Sequence, residues 1–186
     1  SEMMGVSAQI AKTHVAIATW PWPNLFGDEK RERGIRMKTS KWRRPSPDTA
    51  PVKAKAAGLY MIATMSKHTA EANGCSDAMM MDYRGYVAEA TGANIFFVKD
   101  GEVYTPTPDA FLNGLTRQTV IEMLTKMGVK VHERHILPGE LEDFSQCWLT
   151  GSAAEITPVG QIGNYNFEVG ELTQAVSKNY EQLVRE

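Results

Sequence analysis

Apolar residues along this chain follow two rhythms, and each change of rhythm marks an element. His14-Val15-Ala16-Ile17-Ala18-Thr19-Trp20 is almost continuously apolar, the pattern of a β-strand buried on both faces. Trp20-Pro21-Trp22-Pro23-Asn24 breaks it. Gly34 to Ser40 alternates and predicts a half-exposed second strand, and the prolines from Pro45 to Pro51 predict a loop. From about Ala54 to Ala72 the spacing becomes helical. Ala56, Leu59, Ile62, Ala63 and Ala70 fall near one stripe, and Asn73-Gly74 supplies the stop. Short strands follow at 77–82, 86–90, 94–99 and 102–105. Tyr83-Arg84-Gly85 turns between the first two, and Asp100-Gly101 is a two-residue hairpin signal between the last two.

Farther on, Thr116 is expected to cap a helix running to Met127, with Gly128 as its stop. Val129 to Arg134 alternates as a strand, Leu137 to Phe144 suits a short helix, and Gln146 to Thr150 reads as a strand ended by Gly151-Ser152. Ile156 to Val159 predicts another strand, leading to a hairpin around Gly163-Asn164. Glu171 to Glu186 is amphipathic, with Leu172, Ala175, Val176, Tyr180 and Leu183 on one helical face. The chain has no internal repeat. Intermixed strands and helices point to an α/β or α+β class with a mostly antiparallel, curved sheet.

Composition narrows the function classes. A chain of 186 residues with 42% apolar and 23% charged residues makes one soluble globular domain with a real core. No apolar run is long enough to span a membrane, and the N-terminus has no signal-peptide pattern. A formal net charge of −2 argues against nucleic acid, so Lys38 to Arg44, with four cations and a Trp, reads as a solvated loop. Cys75 and Cys147 lie far apart in no CxxC pattern, which suits a reducing compartment such as the cytoplasm. His132 and His135 sit in a strand pattern, where a spacing of three puts them on opposite faces, so no metal site is expected.

Three places have chemistry to offer. Lys53 and Lys55 stand among small apolar residues at a loop-to-helix junction. A desolvated lysine there frees its amine for a Schiff base, although two solvated lysines at a helix start are the plainer reading of the residues alone. Glu89 lies in an apolar strand, and if buried it needs a cation, a backbone amide or a protonated ring nitrogen as partner. Asn113-Gly114-Leu115-Thr116 and Thr150-Gly151-Ser152-Ala153-Ala154 are small-residue turns, the first at a helix start whose free amides favour an anion.

Taken in order, these places carry a resemblance. Lys55-Ala56-Ala57-Gly58-Leu59-Tyr60, the run Gly85 to Phe96, Leu112 to Arg117, and Leu149 to Val159 resemble the fold-type IV pyridoxal-phosphate enzymes. They resemble the branched-chain amino-acid aminotransferases most. The resemblance runs from about residue 10 to the C-terminus and implies a curved sheet or pseudo-barrel with packed helices. It implies that Lys55 forms the Schiff base with pyridoxal 5'-phosphate and then carries a proton during transamination. Glu89 would pair with the pyridine nitrogen, and Tyr60 with the phenolic oxygen. The amides of Leu115 and Thr116, with Ser152, would hold the phosphate. The Ser152-Ala153 turn would offer amides to the substrate carboxylate, and Trp22 would stand near the substrate side chain.

The implied reaction moves an amino group between branched-chain L-amino acids (Leu, Ile, Val) and 2-oxoglutarate, in a homo-oligomer that needs no metal. An inactive cofactor-binding fragment, or a related D-amino-acid aminotransferase or aminodeoxychorismate lyase, are the alternatives. The family also has a smaller N-terminal domain ahead of this region. Residues 1–13 are then expected to be a remnant of the interdomain connection and 14–186 the cofactor-binding large domain, with apolar surface left exposed.

Overall fold

Alternation along the strands resolves into two apolar layers, one on each face of a single curled sheet. The computed structural model describes residues 5–21 and 32–185. Its strands are β1 (Ile35–Arg44), β2 (Asp77–Asp82), β3 (Val87–Ala90), β4 (Asn94–Lys99), β5 (Glu102–Thr105), β6 (Val131–Glu133), β7 (Gln146–Gly151), β8 (Glu155–Ile162) and β9 (Tyr165–Asn166). The longer helices are α1 (Tyr60–Ala72), α2 (Leu115–Lys126) and α3 (Glu171–Arg185).

The strands pair in the order β3-β2-β1-β8-β7-β4, and β4 pairs back to β3. That circuit is the expected pseudo-barrel, with β5 and β6 extending from β4 and β9 attached to β8. β1 runs parallel to both β2 and β8, and β5 parallel to β6, while the other pairings are antiparallel.

β4 and β7 show why apolar character is continuous at the centre. Ile95 and Phe97 join Cys147 and Leu149 in one core with Ile35, Met79 and Val159. Phe96, Val98 and Trp148, pointing the other way, pack with Val120 and Leu124 of α2 and Val176 and Tyr180 of α3. Both faces of these strands are therefore dry. The β4–β5 turn has positive φ at Asp100 (53°) and Gly101 (76°), the backbone that suits a two-residue hairpin.

Several expectations need correction. Residues 14–20 form no strand: Val15 and Ile17 are 84% and 91% exposed and Trp20 is exposed too. An apolar run becomes a strand only where a neighbour takes its backbone hydrogen bonds, and both edges of β1 are already taken by β2 and β8. The expected exposed apolar surface includes this segment. The basic run Lys38–Arg44 is not a loop but the second half of β1, and its last cation, Arg44, is buried.

Helix α1 starts at Tyr60 rather than Ala54, after a 3-10 turn at Ala57–Leu59. Its buried face is Ala63, Ser66 and Ala70. Helix α2 is capped by the backbone of Gly114, and Thr116 lies inside the first turn instead. β6 is shorter than expected because the Val129 amide closes the end of α2 on the Leu124 carbonyl, 2.9 Å away. The Leu137 helix is a 3-10 turn at Pro138–Asp143. In α3 Leu183 is 52% exposed, so its apolar stripe is buried only up to Tyr180.

Candidate functional site

Where the row of side chains beneath α2 reaches the strand ends it turns from apolar to polar. Asn94 follows Phe96 on its face of β4, Thr150 follows Trp148 on β7, and the two are direct cross-strand partners. Glu89 of β3 pairs with Asn94 in turn. These three residues floor a cleft of about 320 Å³ walled by the start of α1 and the start of α2. The cleft is lined by Lys55, Tyr60, Glu89, Leu115, Thr116 and Ser152, so six of the residues singled out from sequence converge. Lys53 does not line it, which separates the two lysines that the sequence left open.

The remaining candidates are placed differently. Ala153 is exposed in the turn after Ser152 and is not part of the cleft lining. Trp22 lies outside the described residues. Lys55 itself is exposed in the loop before the 3-10 turn, so this chain does not bury its amine. His132 bonds Glu102 at 2.6 Å and His135 bonds Asp109 at 3.0 Å, and among the described residues no group of His, Cys, Asp and Glu is arranged to hold a metal.

Glu89 is the electrostatic centre. Burial pushes its carboxyl up to about 8, against the opposing pull of Arg44. Arg44 Nε stands 3.1 Å from Glu89 Oε1 but makes no aligned hydrogen bond, and one of its Nη atoms donates instead to the Leu59 carbonyl at 3.4 Å. Near neutral pH the group is poised between its acid and its base form.

The opposite wall suits an anion. Gly114 is extended (φ −62°, ψ 145°), and the first-turn amides of the 12-residue helix α2 begin beside it with no acidic residue among them. A Cβ on Gly114 would come within 2.5 Å of Asn94 Oδ1, so the backbone is bare there. Thr150 is 1% exposed, and its hydroxyl is buried without a partner. A buried orphan hydroxyl in the floor of a cleft is a hydrogen bond in waiting. The arrangement accommodates a ligand with a basic nitrogen at one end, an anionic group at the other and a carbonyl near the lysine.

Arg44 and Asn94 are the members to which sequence reasoning gave no role, and Thr150 stood in a turn it had singled out. Arg44 was hidden in a basic run, though its place beside a strand pattern was a usable signal. Asn94 looked like an ordinary strand end.

Comparison with known proteins gives the family. Residues 2–162 match the model of the amino-transferase class IV family. The chain belongs to the class IV aminotransferases. It is 40% identical over 190 residues to a probable branched-chain-amino-acid aminotransferase of Rickettsia conorii, covering 100% of this chain and 64% of that protein. It is 35% identical to the branched-chain-amino-acid aminotransferase of Escherichia coli K12, covering 90% of this chain and 54% of the other.

Among solved structures, the Escherichia coli branched-chain amino acid aminotransferase superposes with a TM-score of 0.85 at 32% identity, over 88% of this chain and 55% of that one. An aminotransferase from Brucella abortus bound to the cofactor PLP gives 0.78 at 34%, over 83% and 55%. This class IV chain thus spans between half and two-thirds of the length of these relatives.

Proposed function

We propose that this chain is the pyridoxal-phosphate-binding part of an aminotransferase that exchanges an amino group between branched-chain L-amino acids and 2-oxoglutarate. The observation that carries the reading is the convergence of Lys55, Tyr60, Glu89, the Leu115–Thr116 amides and Ser152 on one cleft. The donor set fits the cofactor on its own chemistry. A poised acid suits a pyridine nitrogen, and bare amides with the Thr150 and Ser152 hydroxyls suit a phosphate.

When bound, pyridoxal phosphate supplies the electron sink that lets an amino acid lose its Cα proton. The protein supplies position and proton traffic. Glu89 holds a proton against the pyridine nitrogen, and Arg44 limits how far burial favours the neutral acid. Tyr60, the first residue of α1, presents its hydroxyl to the phenolic oxygen. The amides of Leu115 and Thr116 and the Ser152 hydroxyl anchor the phosphate, and the turn through Ala153 offers amides to the substrate carboxylate. Lys55 Nζ is the amine that takes and returns the proton.

The branched-chain preference follows from the named relatives, and Trp22 is the side-chain contact proposed for it. A homo-oligomer in the cytoplasm completes the reading, and Cys75 and Cys147, both free thiols, support that compartment. Among the described residues no helix is long and apolar enough to cross a membrane.

One observation favours a second reading. Lys55 and Tyr60 are exposed, so the cleft as formed by this chain does not exclude water from the amine. The chain then binds cofactor without turning over.

Borohydride trapping of the chain with pyridoxal phosphate, followed by peptide mass analysis, tests the site. The adduct is expected on Lys55 and lost in Lys55→Ala; an adduct on Lys53 instead would break the assignment. Addition of L-leucine separates the two readings, since only the active form is converted to the pyridoxamine state.

A further inference from the structure

Asn94 touches both ends of the cleft. It opens β4, is 5% exposed, and uses its side-chain amide as a bridge. Its Oδ1 accepts the Gly114 N–H at 3.1 Å, and its Nδ2 donates to the Leu112 carbonyl at 2.9 Å. Donating to one residue and accepting from the residue two later is how a neighbouring strand holds an extended backbone. The amide's orientation is dictated by its partners, because Gly114 can only donate there and Leu112 only accept. The same Nδ2 also points a hydrogen at Glu89 Oε2, 3.4 Å away.

Segment 112–114 belongs to no strand, yet it sets the direction in which α2 begins. Among the described residues of the sheet, this one side chain holds it, acting as a stand-in strand. Gly114 completes the fit, since a Cβ there would lie 2.5 Å from Asn94 Oδ1. We propose that Asn94 is a positioning residue that fixes the amides at the start of α2 as an anion cradle and keeps that cradle in register with Glu89. The inference rests on the function proposed above, because it gives that cradle the phosphate to hold. It adds a residue that acts through the amides it holds and explains why an asparagine stands at this strand end. Aspartate would keep the shape while losing the donor to Leu112 and setting a second carboxylate against Glu89. Alanine would lose both bonds to the segment.

The test uses the whole chain with Asn94→Ala, Asn94→Asp and Gly114→Ala, the last breaking the same bond without removing a side chain from the sheet. Amide hydrogen exchange by NMR on the ligand-free chain comes first. Asn94→Ala and Gly114→Ala are expected to lose protection at residue 114 while β4 and β7 keep theirs, and Asn94→Asp, which retains the acceptor oxygen, is expected to keep it. Binding of pyridoxamine phosphate and of pyridoxamine is then compared by titration calorimetry. Neither probe forms an imine, so the phosphate's share is read directly. Asn94→Ala and Gly114→Ala are expected to bind pyridoxamine phosphate about tenfold more weakly and pyridoxamine about as well as before.

Unchanged exchange at Gly114 in Asn94→Ala overturns the proposal whether or not any cofactor binds. Equal weakening of both probes also overturns it, because a merely structural asparagine would do that. If the unmodified chain binds neither probe while exchange at Gly114 responds as expected, the positioning role stands and the proposed function falls.

Discussion

Two polar clusters, each built round a buried acid, sit on this barrel and differ in how completely the acid is satisfied. At the turn after β2, Asp82 accepts the backbone N–H groups of Arg84, Gly85 and Tyr86 at 2.9–3.0 Å and the Arg84 guanidinium at 2.6–2.8 Å. Arg84 goes on to Asp109, which also bonds His135, whose ring stacks on Tyr86. Every arm of that cluster ends on a partner. At the cleft, Glu89 meets an Arg44 that is near but misaligned and an Asn94 at 3.4 Å, and the Thr150 hydroxyl has no partner. A completed network stitches loops together, whereas an incomplete one in a concave place is set up for something that arrives.

The largest effect expected from breaking this contrast is at the completed cluster. Asp82→Ala removes the carboxylate that three turn amides and a guanidinium share, and should lower stability by about 3–5 kcal/mol in urea unfolding. A loss under 1 kcal/mol would mean the turn is held by its neighbours.

Next is Glu89→Gln. The folded carboxyl titrates near 8 instead of 4.5, so the fold keeps a proton that the unfolded chain releases between those values. Stability therefore falls as pH climbs from about 5 to about 8, on the order of 3 kcal/mol from this group. The glutamine variant should show a flatter profile over that range, and an unchanged slope would place the titration elsewhere.

The smallest effect sharpens the contrast from the other side. Desolvation pushes Asp109 up, but hydrogen bonds from His135 and Arg84 outweigh it and hold the carboxyl below its ordinary 3.8. Its contribution is present at neutral pH and lost only as pH falls below about 4. The side chain is 39% exposed, so Asp109→Asn should cost less than about 1 kcal/mol at pH 7 and progressively less as the pH falls below about 4.

Much of this was legible in the residues. Asp100-Gly101 and Gly163-Asn164 announced their hairpins, since both are short-range turns that need no distant partner. The order of lysine, carboxylate and small-residue turns found six of the cleft's lining residues. Residues 14–20 were misread because their pattern matches that of β4, and pattern alone does not supply a neighbouring strand. Arg44 was misread because a charge among charges looks solvated until the strand that carries it is paired.

The sequence by itself determined which segments alternate, where the turns fall, and which amine, acid and glycine-rich turns were available, because those properties depend on a few adjacent residues. Only the tertiary structure decided that β4 would close onto β3, that Arg44 and Asn94 would face Glu89, and that Lys55 rather than Lys53 would reach the cleft. Those outcomes depend on backbone hydrogen bonds and burial between residues far apart in the chain.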